Sequence, residues 1–196
     1  MNQFVSVILA AGEGRRFGSD KRQARLLNGL SLLDAVIGLH RAASWPTWVV
    51  LPPDDTFGLD ACARHGALPI PCPDATQGMG RSLAAALRHA NATPGCEAVM
   101  VSLADMPAIR PASLSALRQG FLATGEATAP RYQGRIGHPR ILPRAHWPTL
   151  MQATGDGGAR QLIDWPRAHL VDVNDAGVLI DIDTPQDLDG LISTQA

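Results

Sequence analysis

The feature that most constrains the fold is the run Phe4 to Ala10, F-V-S-V-I-L-A, which passes directly into a glycine-rich basic segment, L-A-A-G-E-G-R-R-F-G-S-D-K, at positions 9–21. A short, unbroken, β-branched apolar run is what a strand needs when helices cover both of its faces. The run therefore predicts a first, central strand in a helix-flanked sheet. Behind it, Leu32, Leu33, Val36 and Ile37 recur at helical spacing, and Trp48 to Leu51 reads as a second strand stopped by Pro52 and Pro53. The rhythm repeats with a helix over 59–65, a strand over 67–70 and an alanine- and leucine-rich helix over 79–92. A strand over 98–103 follows, then a helix opened by Pro111 in which Leu114, Leu117, Phe121 and Leu122 share one face. Such alternation implies a parallel sheet.

After Ala127 the alternation breaks. Short strands are expected near Tyr132 and over 136–142, 169–173 and 178–182, with helices over 145–153 and 158–165 between them. Thr184-Pro185-Gln186-Asp187 has the cap, first-turn proline and acid of a last helix start. The expected architecture is one domain over 1–196, a three-layer α/β/α sandwich whose mostly parallel sheet ends in an irregular, mixed C-terminal third. A chain of 196 residues buries one sizeable core and is short for two.

Composition narrows the ligand classes. Seventeen Lys and Arg against eighteen Asp and Glu leave a formal charge of −1, which excludes a partner held by bulk basic charge, such as duplex nucleic acid. An anionic ligand must be held by local geometry instead. The three cysteines, Cys62, Cys72 and Cys96, are odd in number and widely spaced, so neither a disulfide framework nor a C-x-x-C metal site is expected. The apolar stretch 4–11 is too short for a signal core or a membrane span, and a cytoplasmic protein is the expectation.

Directly after the first strand, Gly12, Gly14 and Gly18 free the backbone to turn N–H groups toward an anion, while Arg15, Arg16 and Lys21 supply cations around the same loop. The loop suits a polyphosphate. It is not a dinucleotide fingerprint, because the third glycine falls one place late, and it is not a P-loop, because Ser19-Asp20-Lys21 follows Gly18. Asp105, in V-M-V-S-L-A-D-M-P, lies just past the carboxyl end of a buried strand, where it either holds magnesium against phosphate oxygens or structures the turn before Pro107. Asp181 and Asp183 are expected on one side of a late strand, where two carboxylates call for a cation or else serve as an exposed residue and a cap. Gly80-Arg81-Ser82-Leu83-Ala84 lacks the features of a nucleophile elbow, so Ser82 reads as a helix residue near a ligand. His138, fixed between Gly137 and Pro139, is either structural or a ligand contact. Arg160, in G-D-G-G-A-R, is either a phosphate contact or part of a helix start capped by Asp156.

Taken together, the segments at 9–21, Q-G-M-G-R-S-L at 77–83, L-A-D-M-P at 103–107, G-H-P at 137–139, G-D-G-G-A-R at 155–160 and D-I-D-T-P-Q-D-L at 181–188 resemble the MobA-like nucleotidyltransferases. Within that group the L-A-A-G of the first motif is most similar to the molybdenum cofactor cytidylyltransferases. The resemblance implies a Rossmann-like NTP transferase fold, Mg²⁺ as cofactor, and transfer of a nucleoside monophosphate, CMP from CTP, onto a phosphorylated small acceptor of the molybdopterin type, with release of pyrophosphate. It places nucleotide contacts at Leu9, Ala10, Ala11, Gly12, Gly14, Arg16, Lys21, Gly78 and Ser82, catalytic groups at Arg16, Lys21 and Asp105, metal ligands at Asp105 with Asp181 or Asp183, and acceptor contacts at His138 and Arg160. A molybdoenzyme or its maturation factor is the implied protein partner. A guanylyl or sugar-phosphate transferase of the same fold and a catalytically inactive assembly partner stand as alternatives. The sequence departs from the family after Lys21, where R-Q-A-R-L-L-N-G replaces the usual K-L-L-x-x-L-x-G.

Overall fold

The computed structural model describes residues 3–12, 17–43, 45–152 and 163–195, with side chains from 4 to 191 within those ranges. Its frame is one sheet with strands β1 (Gln3–Leu9), β2 (Thr47–Leu51), β3 (Leu68–Pro71), β4 (Cys96–Leu103), β5 (Thr128–Tyr132), β6 (Arg135–Ile136), β7 (Arg140–Pro143) and β8 (His169–Asp172). The spatial order is β3-β2-β1-β4-β7-β5-β6, with β8 beside β5. Four strands, β3 to β4 in that order, run parallel. β7 then pairs antiparallel with β4 and with β5, so the expected change from parallel to mixed falls at the β4–β7 seam.

β1 lies at the centre, and its alternation explains the continuous apolar run. Val5, Val7 and Leu9 join a core cluster with Leu83, Leu87 and Ala90 of helix α3 (Met79–Ala92) and with Trp147 and Leu150 of the short helix α5 (Trp147–Leu150). Ile8 and Ala10 point the other way, to Leu33, Val36 and Ile37 of α1 (Leu32–Ala42) and to Ala61 and Cys62 of α2 (Thr56–His65). Phe4 packs with Leu114 and Leu117 of α4 (Pro111–Thr124). Both faces of the strand are dry from Phe4 to Leu9, and Ser6 is the one polar side chain in that stretch. That hydroxyl lies 3.0 Å from His40 Nδ1, and Ser102 Oγ on β4 lies 2.8 Å from Nε2, which satisfies a fully buried imidazole. Burial holds His40 neutral, with its pKa pushed down to about 4. The three cysteines, Cys62, Cys72 and Cys96, are free and buried.

Helix α6 (Pro185–Gln195) starts as its sequence requires. Asp187 Oδ2 accepts from the Thr184 N–H at 2.7 Å and from the Asp183 N–H at 3.0 Å, and Thr184 Oγ1 accepts from the Asp187 N–H at 3.2 Å.

Four expectations are corrected. Residues 178–182 form no strand. Residues Ala176–Leu179 make a 3₁₀ turn and the chain then runs extended without a ladder. The cause is Asp175, a buried carboxylate that accepts from the Gly177 and Arg110 N–H groups and from Ser113 Oγ, at 2.9, 2.8 and 2.6 Å, and so winds the segment into a turn. The expected strand over 136–142 is interrupted at Gly137, His138 and Pro139, because the His138 N–H donates to the Val178 carbonyl rather than to a neighbouring strand. Leu122 is exposed, 800° of helical rotation past Leu114 having carried it off the buried face. The helix over 145–153 shortens to a 3₁₀ turn at Arg144–His146 followed by the four residues of α5. The start of the helix expected over 158–165, and Asp156 as its cap, lie outside the described residues.

Candidate active site

Where β1 and β4 end, the chain on each must leave the sheet, and the two exits open a cavity of 390 Å³ at the carboxyl edge. Leu9, Ala10, Ala11 and Gly12 line it from the β1 side, Leu103 and Asp105 from the β4 side, and Gly78 and Ser82 from the start of α3. Lys21 and Asp183 complete the wall. Nine of the positions expected from the sequence thus converge on one space. Gly14, Arg16 and Arg160 lie outside the described residues.

Asp20 accepts from the Arg22 N–H and so caps a 3₁₀ turn over Lys21–Gln23, which turns Lys21 inward. The Lys21 Nζ donates to Asp105 Oδ2 at 2.6 Å and to Asp183 Oδ1 at 2.9 Å. Burial alone disfavours the ammonium, but the two carboxylates outweigh it and raise the Lys21 pKa, so the cation is kept charged. Burial pushes the Asp105 carboxyl above its ordinary range while Lys21 works in the opposite direction. The second oxygen, Asp105 Oδ1, is buried with no hydrogen-bond partner among the described residues. Such an atom is a strong acceptor held ready for a cation or donor. Among those residues no group of three or more His, Cys, Asp or Glu converges, so a cation here would rest on Asp105 and Asp183 together with ligand oxygens. One or two carboxylates plus substrate phosphates is the habit of Mg²⁺ rather than of zinc.

On the opposite wall, α3 begins without a side-chain cap. Its N-cap, Gly78, has φ 106 and ψ 169, a backbone shape that only glycine takes readily. Met79 and Ser82 of the first turn border the cavity, so the uncapped end of a fourteen-residue helix is presented to whatever anion enters. Ser82 is buried and sits in the helix as expected, with no histidine or acid hydrogen-bonded to it among the described residues.

Arg22, which with Arg25 is the other cation near Lys21 in the sequence, has a role that the sequence does not show. Although it lines the cavity, its donors are committed: Nη1 to the Ala10 carbonyl at 3.0 Å and to Asp55, Nε and Nη2 to Asp20 at 2.8 Å each. It clamps the end of β1 to the cap of α2 rather than reaching for a phosphate. The signal was present in Asp55, which precedes a helix at a cap position. Arg25 donates to the Gly29 carbonyl at the tip of its own turn and does not enter the site.

Asp181 does not join Asp183. It lines a second cavity, of 580 Å³, together with His138, Arg135, Arg140 and Trp165. Two carboxylates expected side by side are separated because no strand forms there. The Ile182 N–H donates to the Asp105 carbonyl at 2.9 Å, and the Ile182 side chain is fully buried in a cluster with Leu32 and Leu191. In the second cavity, burial and then the charge of Arg140 press the His138 pKa down to about 3, and its Nδ1 has no hydrogen-bond partner among the described residues. Leu103 lines both cavities, so they adjoin.

An open α/β sheet that gathers Gly12, a lysine and two carboxylates at its carboxyl edge has the position and the charges of a phosphate-ligand site. The chain belongs to the MobA-like NTP transferase family, whose domain model matches residues 6–173. It is 28% identical to the "Purine catabolism protein PucB" of Bacillus subtilis over 94% of each chain. It is 27% identical to the "Probable molybdenum cofactor guanylyltransferase" of Mycobacterium avium, over 99% of this chain and 98% of that one. The crystal structure of Rv0371c from Mycobacterium tuberculosis superposes with a TM-score of 0.84 at 28% identity, covering 97% of both chains. A manganese complex of Rv0371c gives a TM-score of 0.77 at 26% identity, covering 98% of this chain and 99% of that one. Among the described residues no helix is long and apolar enough to cross a membrane.

Proposed function

We propose that the chain, acting as one catalytic unit over 1–196, moves a nucleoside monophosphate from an NTP onto the phosphate of a small acceptor of the molybdopterin type. The observation that carries the reading is the triad of Lys21, Asp105 and Asp183 facing the uncapped start of α3 across one cavity. Lys21 and the α3 N-terminus are suited to the triphosphate, to which Arg16 and Gly14 add cation and backbone donors. Asp105 Oδ1 and Asp183 would hold Mg²⁺, which when bound withdraws charge from the phosphates and from departing pyrophosphate. Alignment of the acceptor oxygen with the α-phosphorus and neutralisation of developing charge account for the rate without a protein nucleophile. The second cavity, with His138, takes the acceptor, a role that the sequence resemblance also gives to Arg160.

The base is assigned as cytosine. Ala11 is buried and borders the cavity, and a methyl beside the base would crowd a purine more than a glycine would. A second reading, GTP, is favoured by the relative named as a guanylyltransferase. The test is pyrophosphate release from each of the four NTPs, with and without molybdopterin. Release that requires molybdopterin and is fastest with CTP supports the first reading, and faster release with GTP replaces it by the second.

A further inference from the structure

We infer that Arg22 is a positioning residue of the nucleotide site, its guanidinium fixing both the turn that presents Lys21 and the first peptide beyond β1. The inference rests on the transfer reading above and goes further, since it gives a part in phosphate binding to a residue whose own hydrogen bonds go to protein groups. Three observations carry it.

First, the guanidinium closes on three segments at once. Nη1 joins the Ala10 carbonyl to Asp55, while Nε and Nη2 both hold Asp20. Asp55 is itself fixed, because its Oδ1 caps α2 by accepting from the Gly58 N–H at 3.0 Å. The Arg22 side chain is 11% exposed and that of Asp55 7%, so this clamp is shielded from water and holds more firmly than a surface pair. Second, the segments so held are those that need holding. A 3₁₀ turn of three residues has little stability of its own, and the flexible side chain of Lys21 is aimed only as well as the backbone beneath it. Asp20 closes that turn and Arg22 holds Asp20. Burial works to raise the Asp20 pKa, but the hydrogen bonds and charge of Arg22 outweigh it, so the cap stays ionised. At the other end of the clamp, the Ala10 carbonyl is the first beyond β1. The peptide is planar and trans, so a fixed Ala10 carbonyl also fixes the Ala11 N–H on the opposite side, where the glycine-rich segment begins. Third, Arg22 lines the same cavity as Lys21, Ala10 and Ala11, and it stands at the point where the sequence departs from the family pattern. The leucine usual there could pack against these segments but could not join two carboxylates to a carbonyl.

Lys21 is the only lysine in the chain, so nitrogen-15 placed at lysine Nζ gives a single side-chain ammonium resonance that reports how Lys21 is held. The resonance is recorded during titration with inorganic tripolyphosphate for the parent, Arg22→Gln, Asp55→Asn and Ile141→Val, and a urea midpoint is measured for each. Asn at position 55 keeps an oxygen to cap α2 while it weakens the pairing with Arg22. Ile141→Val thins a fully buried contact on β7 and lowers stability away from the clamp. In Arg22→Gln and Asp55→Asn the resonance should move toward that of a solvated ammonium, and tripolyphosphate should bind about tenfold or more weakly. Ile141→Val should keep the parent's resonance and its affinity within about twofold, despite a lower urea midpoint. The inference is overturned if Arg22→Gln, or Asp55→Asn where the glutamine variant does not fold, keeps the parent's resonance and affinity. It is overturned equally if Ile141→Val moves both as far, since the clamp would then serve stability alone. Neither readout needs turnover, so a failure of pyrophosphate release would contradict the transfer reading and leave this result standing by itself.

Discussion

At Asp105 two influences act on one carboxyl group: burial raises its pKa, and the Lys21 ammonium 2.6 Å away opposes that rise. Asn at this position preserves size and removes charge, so Asp105→Asn should lower turnover by at least about a hundredfold while circular dichroism and thermal melting stay close to the parent. Near-normal turnover would place the metal elsewhere. Lys21→Ala should weaken use of all four NTPs alike, measured as kcat/KM, because an ammonium at the triphosphate does not see the base. A changed base preference would move Lys21 away from the phosphates. Ala11→Gly should narrow the advantage of CTP over GTP, an advantage expected at about 10- to 200-fold, the scale of a one-methyl misfit. These residues were legible because each ends or follows a strand run and carries charge or its absence where the carboxyl edge must be. The separation of Asp181 from Asp183 was not legible. It depends on a turn set by Asp175, which reaches Ser113 across 62 positions of sequence.

The elements of the first 124 residues follow the sequence closely, because a doubly covered parallel sheet writes its strands as continuous apolar runs and its helices at a 3.6 period. The same logic fails after that point. β7 is only four residues long, and the segment after Asp175 owes its shape to tertiary hydrogen bonds instead of periodicity. Gly177 is the element-scale test of that account. A methyl group there would collide with the Ala108 carbonyl, three residues past Asp105. Gly177→Ala should therefore destabilise by about 1–3 kcal/mol, read as a lower urea midpoint, and should lower turnover as well. Gly190→Ala, inside α6 with open space around the new methyl, should instead be neutral or stabilise by up to about 1 kcal/mol. Equal effects at the two sites would mean that the close approach at Gly177 is not structural.

For the molecule as a whole, the layered packing leaves two imidazoles neutral in the interior, His40 with a pKa of about 4 and His138 with a pKa of about 3. In the unfolded chain both return to about 6.5. Between these values the unfolded state binds protons that the folded state refuses, so stability is full above about pH 6.5 and falls as the pH drops toward 4. His40 alone should remove about 2 kcal/mol between pH 7 and pH 5, and urea midpoints that coincide at the two pH values would contradict it. The central claim concerns chemistry, that nucleotidyl transfer occurs where Lys21, Asp105 and Asp183 meet. The most direct measurement is pyrophosphate release from NTP in the presence of molybdopterin and Mg²⁺, comparing the parent with Asp105→Asn. The account predicts release that needs acceptor and metal together and that drops by about a hundredfold or more in the variant; no release from any NTP, or equal release from both proteins, would contradict it.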